Sequence, residues 1–132
     1  MIGIDTNVVI RLLARDDPVQ FDAATRLAKS ARDSDPLVIN PVVIAESIWV
    51  LEKRYGLEPK RSRPLMARFV SSVEFTVMDR MRCEHWFDWF QSMHRNFSDV
   101  LIAAINIEYG CSHTVTFDRR AAKAVRGMEL LA

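Results

Sequence analysis

Four acidic side chains stand out by their positions in the chain: Asp5, Glu46, Asp99 and Asp118. Asp5 ends the short apolar run Ile2-Gly3-Ile4, and an apolar pattern resumes at Val8, so a strand delivers a carboxylate to its own C-terminal end. Asp118 repeats that placement after Ser112-His113-Thr114-Val115-Thr116. Glu46 interrupts the apolar run Val42-Val43-Ile44-Ala45-Glu46-Ser47-Ile48-Trp49, in a helix that follows the strand Leu37-Val38-Ile39. Asp99 falls in the first turn of the helix preceding the strand that leads to Asp118. In open α/β sheets, ligands and catalytic groups gather outside the carboxyl ends of the strands, so the four acids are expected on one edge. Each also has a plainer reading. Asp5 and Asp99 can cap helices or complement their dipoles, and Glu46 can share a solvated face with Val50 and Lys53.

Carboxylates brought within a few ångströms repel and raise one another's pKa, so such a cluster calls for a cation. For an all-oxygen site that cation is Mg²⁺ or Mn²⁺, held through a few carboxylates and retained waters. It would activate water and neutralise charge on a phosphoryl oxygen. Little else in the chain competes as a catalyst. His85, His94 and His113 show no HExxH pattern, and the chain has no GxGxxG, GxxxxGK[ST] or GxSxG. Cys83 and Cys111 lack metal-ligand spacing and read as reduced, structural thiols. An aspartyl phosphatase would want a second Asp two residues after Asp5, where Asn7 stands.

The elements that must position these acids alternate. A helix to about Ala14 is followed by one opened by Asp17-Pro18-Val19-Gln20, an N-cap with Pro at the first helical position and Gln three after the cap. Asn40-Pro41 stops the second strand, and a helix over 42 to about 55 is expected to end at Gly56. A helix over 60–71 follows, with Pro64 marking the start of its regular part. Then come a strand over 74–77, a helix capped by Asp79 and crowded with Trp86, Phe87, Trp89 and Phe90, and a helix from Ser98 to Tyr109 stopped by Gly110. The strand over 112–116, a short helix to Val125 and an edge strand or docked end at Met128-Glu129-Leu130-Leu131 complete the chain. Strands separated by helices predict an α/β domain with a mainly parallel sheet and right-handed crossovers.

The 132 residues fit a single domain, 1–132. Eighteen Lys and Arg against 17 Asp and Glu leave a net charge of +1, so overall charge does not speak for or against nucleic acid. No apolar run approaches the ~20 residues that cross a bilayer, and Met1 opens straight into the first strand, so a cytoplasmic protein without membrane contact is expected.

Ile4-Asp5-Thr6-Asn7-Val8, the helical Glu46 after Asn40-Pro41-Val42, Phe97-Ser98-Asp99-Val100-Leu101-Ile102-Ala103-Ala104 and Thr116-Phe117-Asp118 resemble the PIN domain, specifically the VapC-type toxins of bacterial and archaeal type II toxin–antitoxin systems. The resemblance runs in order along essentially the whole chain. It implies a PIN-like three-layer α/β/α sandwich and an Mg²⁺-dependent endoribonuclease in which Mn²⁺ can substitute. Such enzymes leave a 5′-phosphate and a 3′-hydroxyl, are usually homodimers, and are silenced by a VapB-type antitoxin. By the same resemblance Asp5, Glu46, Asp99 and Asp118 form the acidic metal-binding and catalytic set, with Asn7, Thr6 and Thr116 as supporting polar residues. One departure is Asn96, where many relatives carry an acid; that position is read as lying beside the metal ligands, so its loss bears on metal affinity.

RNA phosphates must approach an acidic pocket, so cations are expected around its rim. Arg11, Arg15, Lys53, Arg54, Lys60, Arg61 and Arg63 are the candidates, or else simply solvated faces. The alternative from another class is a catalytically inactive PIN-like module that binds RNA or antitoxin. Four mutually repelling carboxylates argue against it, and thermal stabilisation by Mn²⁺ discriminates the two.

Overall fold

A computed structural model describes residues 2–78 and 97–131, which fall into two compact units, Met1–Arg80 and Met81–Ala132. Several expectations concern residues outside the described ones: the Asp79 cap, the aromatic helix with Trp86, Phe87, Trp89, Phe90 and Cys83, the histidines His85 and His94, and Asn96.

In the first unit, strands β1 (Ile2–Gly3), β2 (Leu37–Ile39) and β3 (Phe75–Val77) form a parallel sheet with β2 in the centre. The register pairs Ile2 with Leu37 and Leu37 with Phe75. Leu37 and Ile39 are buried while Val38 is only half-buried, as the two-residue alternation of a strand dictates. Helices α1 (Thr6–Ala14), α2 (Pro18–Ser30), α3 (Pro41–Lys53) and α4 (Pro59–Val70) follow the strands in turn. α1 packs on α2 and α3, and α3 on α4. Val9, Ile10, Ile44, Ile48, Leu51 and Met66 fill the resulting core.

The caps explain why the chain turns where it does. Asp17 accepts from the Gln20 amide at 3.0 Å, Asn40 accepts from the Val43 amide at 3.1 Å, and Pro18 and Pro41 occupy first helical positions. In this unit two helix boundaries differ from expectation by more than one residue. α3 ends at Lys53 rather than near Tyr55: Arg54 is its cap, and Gly56 follows at φ 67°, allowing the Leu57 amide to return to the Leu51 carbonyl at 3.0 Å. α4 runs through Pro64 and starts at Pro59. Pro64 removes one amide, but the residue four earlier is the exposed Lys60, on the solvated side of the helix, so the lost bond falls where water can replace it.

In the second unit, α5 (Phe97–Tyr109) leads to β4 (Thr114–Thr116), α6 (Arg119–Ala124) and β5 (Met128–Leu130), with β4 and β5 parallel. The C-terminal segment is therefore a paired strand. Val100, Leu101, Ala103, Ala104, Ala121 and Val125 are buried. Asn106 of α5 donates to the Thr114 hydroxyl at 3.0 Å, tying helix to strand. Gly127 sits at φ 85°, a backbone conformation that calls for glycine; a Cβ there would stand 2.7 Å from the Ile107 terminal methyl, which would have to move aside. All three strand pairings among the described residues are parallel, as expected, but they form a three-stranded and a two-stranded sheet.

Candidate active site

β1 and β2 run parallel, so their carboxyl ends lie at the same edge, and the helices that follow them start side by side. Asp5 leaves β1 and caps α1, its Oδ1 accepting from the Val8 amide at 3.1 Å. Glu46 sits in the second turn of α3. The buried Thr6 hydroxyl at the start of α1 donates to Glu46 Oε2 at 2.8 Å, which clamps the two helix starts together through the carboxylate. The face of α3 opposite Glu46 is the buried one, carrying Val43, Ile44, Ser47, Ile48 and Leu51. Glu46 is therefore exposed, as the plainer reading required, but the surface it is exposed on is a cavity wall.

That cavity encloses about 380 Å³. Asp5, Thr6, Asn7 and Arg11 line it from the α1 side, and Glu46, Trp49, Arg54 and Tyr55 from the α3 side. Asp5 and Glu46 are thus brought together, with Asn7 beside them. Asp99 and Asp118 belong to the second unit. Asp99 is half-buried in the first turn of α5. Asp118 caps α6, accepting from the Arg120 amide at 2.7 Å and the Ala121 amide at 3.1 Å. Its own amide donates to the Thr116 hydroxyl at 3.0 Å. The amides of Ala121 and Arg120 hold the Asp118 carboxyl below the usual carboxylate range.

Among the described residues, no group of three or more His, Cys, Asp or Glu side chains is placed to hold a metal ion. The Asp5 and Glu46 pair nevertheless fits a hard cation. Its donors are all oxygen, it opens on a cavity with room for water, and Mg²⁺ is commonly held through one or two carboxylates with retained waters.

Of the cations expected at the rim, Arg11 and Arg54 line the cavity. The others are engaged or placed differently. Arg15, at φ 55° as the cap of α1, lies over the Phe21 ring at 5.2 Å; Lys60 pairs with Glu58 at 3.0 Å; Lys53 and Arg61 are exposed. Arg63 is buried, and that desolvation lowers its pKa against the opposing pull of Glu52, so it is withdrawn from any substrate.

Sequence reasoning missed a network behind Arg11. Its Nε donates to Gln20 Oε1 at 2.6 Å and its Nη1 to Asp16 Oδ1 at 3.1 Å, while the Tyr55 hydroxyl donates to Asp16 Oδ2 at 2.7 Å. Gln20 therefore serves Arg11 and does not reach back to close a capping box. The hydrogen bond with Tyr55 lowers the Asp16 carboxyl and raises the Tyr55 phenol. For Arg11 the largest influence is partial desolvation, which acts downward; the contacts with Tyr55 and Asp16 outweigh it and leave the guanidinium raised. Asp16 and Tyr55 meet only through the tertiary fold. Trp49 had a signal, since it stands three residues after Glu46 and so beside it on the helix surface.

A family model described as the PIN domain matches residues 2–127. No curated protein sequence matches the chain. Among solved structures, VapC20 of Mycobacterium tuberculosis, a toxin described as cleaving the sarcin-ricin loop, is similar at 21% identity over 94% of this chain and 95% of that one, with a TM-score of 0.45.

Proposed function

Because this chain belongs to the PIN domain family, we propose that it is an Mg²⁺-dependent endoribonuclease, the toxin of a VapBC-type system, acting as a single domain over 1–132. PIN domains are nucleases, and the observation that carries the reading for this chain is the meeting of Asp5 and Glu46 in one cavity with Arg11 and Arg54 on its wall. The proposed metal-binding and catalytic set is Asp5 and Glu46, completed by Asp99 and Asp118. A bound divalent cation supplies Lewis acidity, lowering the pKa of water and neutralising charge on the phosphodiester.

The chain's own residues have separable tasks. Asp5 is oriented by its bond from the Val8 amide, and Glu46 by its bond from Thr6, so neither carboxylate must be ordered when substrate arrives. Arg54 offers a cation to an RNA phosphate approaching Asp5 and Glu46. Arg11, already paired with Asp16, fixes the wall. The expected products carry a 5′-phosphate and a 3′-hydroxyl. The expected partners are RNA, a VapB-type antitoxin and a second copy of the chain, in the cytoplasm; no helix among the described residues is long and apolar enough to cross a membrane.

The test is cleavage of total RNA by purified protein, with end mapping. Mg²⁺ should support cleavage, Mn²⁺ should substitute, and EDTA should abolish it; Mn²⁺ should also raise the thermal midpoint of the wild type. Asp5→Ala should lose cleavage and relieve growth arrest on expression. RNA cleavage undiminished in EDTA, or full activity in Asp5→Ala, would overturn the proposal.

A further inference from the structure

Trp49 lies on the exposed face of α3, the face that carries Glu46. Ile48 and Leu51 on the buried face are 3% and 2% exposed, whereas Trp49 is 52% exposed. Large aromatic side chains are highly buried on average, and one left open beside charged groups calls for a ligand with an apolar face and a charge. Trp49 lines the same cavity as Glu46, with which it shares a helix face, and Arg54 stands just past the end of that helix. The Arg54 side chain makes no ion pair or hydrogen bond with the described residues, so its charge is available to a ligand. The two walls are tied together, because the Tyr55 hydroxyl from the α3 side and the Arg11 guanidinium from the α1 side both bond to Asp16. One nucleotide unit has both required features, a flat π-face and a phosphate.

From this arrangement we infer that Trp49 is the stacking platform for one nucleobase of the substrate and that Arg54 holds that nucleotide's phosphate, so that the cavity admits a base only when it is unpaired and turned out of a helix. The inference rests on the ribonuclease reading for its biological meaning, but it concerns binding and does not need cleavage. Base–aromatic stacking tolerates any base, since each has a π-face, so Trp49 contributes affinity for unpaired RNA without reading sequence. Sequence preference must then come from elsewhere in the chain.

Binding is measured by fluorescence anisotropy in EDTA, where the ribonuclease reading allows no hydrolysis. The probes are a fluorescein-labelled unstructured RNA of about ten nucleotides, within the site sizes of single-strand binders, and the same strand annealed to its complement. Trp49→Ala should bind the unpaired probe about five- to 100-fold more weakly, with duplex affinity unchanged. Trp49→Phe should recover most of the loss. Trp49→Leu should not, because it restores apolar bulk without a π-face. Arg54→Gln should weaken binding and reduce the salt dependence by about one phosphate contact. Thermal midpoints of all variants check folding, and the half-exposed position makes Trp49→Phe and Trp49→Leu safe comparisons should Trp49→Ala unfold. Wild-type affinity in folded Trp49→Ala, equal losses on both probes, or full rescue by Trp49→Leu would overturn the inference. So would a Trp49→Ala protein that keeps its RNA affinity but changes its association state, since Trp49 would then serve a protein interface. Absence of Mg²⁺-dependent cleavage by the wild type would overturn the ribonuclease reading alone and leave the binding comparison standing.

Discussion

Asp5 and Asp118 begin from the same local design and end in different settings. Each follows a strand, and each caps the helix that comes next. At Asp118 the cap is tighter: one carboxylate oxygen accepts from two amides, and its own amide is strapped to Thr116. Asp5 accepts from one amide at 3.1 Å and faces a cavity that also holds Glu46. A strand-to-helix aspartate is therefore a cap first. What makes it a candidate for chemistry is a second acid delivered by another crossover to the same strand edge.

The substitution that breaks this comparison most sharply is Asp5→Asn. Asn caps a helix as well as Asp does, so the thermal midpoint should hold, whereas loss of the charge should lower Mg²⁺-dependent cleavage by about 100-fold or more. Asp5→Ala adds the loss of the cap, about 1 kcal/mol, read in denaturant unfolding. Cleavage by Asp5→Asn at more than a tenth of the wild-type rate would return Asp5 to a structural role.

Thr6→Val comes next, and it separates having Glu46 from orienting it. Val matches Thr in shape, so the buried site stays filled, but the donor to Glu46 Oε2 is gone. Cleavage should fall about tenfold and stability by about 1 kcal/mol, with Asp5 untouched. Measured rates equal to wild type would mean that the carboxylate is positioned without Thr6.

Much of this was legible in the chain because it is local. Asp17-Pro18 and Asn40-Pro41 announce helix starts through bonds made within three residues, and both starts fall within one residue of expectation. Asp5 and Glu46 could be joined in advance because parallel strands bring their carboxyl ends to one side. Pro64 misled, because the penalty of an interior proline depends on whether the orphaned carbonyl is solvated, which only the packed helix reveals. The hydrogen bond from Tyr55 to Asp16 was illegible for a stronger reason. It spans 39 positions and depends on how α1, α2 and α3 pack, which no spacing encodes. The same packing turned Arg11 from a rim cation into a fixed wall.

Gly127→Ala tests the frame of the second unit and not an acid. The Ile107 terminal methyl can swing away from a new Cβ, so the larger penalty is the positive φ, about 1–2 kcal/mol for an L-residue. Denaturant midpoints should fall accordingly. Stability equal to or above wild type would mean the backbone relaxes to an ordinary φ at that turn.

The smallest effect is the most specific to Asp118. Its carboxyl is depressed in the folded state because the Ala121 and Arg120 amides bond to the ionised form. A depressed folded value means that the unfolded chain binds the proton more readily, so ionised Asp118 stabilises the fold. That contribution is fully present above the unfolded value of 3.8 and is lost as pH falls below it through the folded value. Asp118→Asn keeps an acceptor oxygen for the two amides but cannot ionise. The difference in thermal midpoint between wild type and Asp118→Asn should therefore be constant near neutrality and shrink once the pH drops below 3.8. A difference that persists unchanged at the acid end would show that the two amides recognise the shape of the cap and not its charge. The Asp118 charge would then be unspent by the cap, as the metal-binding role proposed for it alongside Asp5 requires.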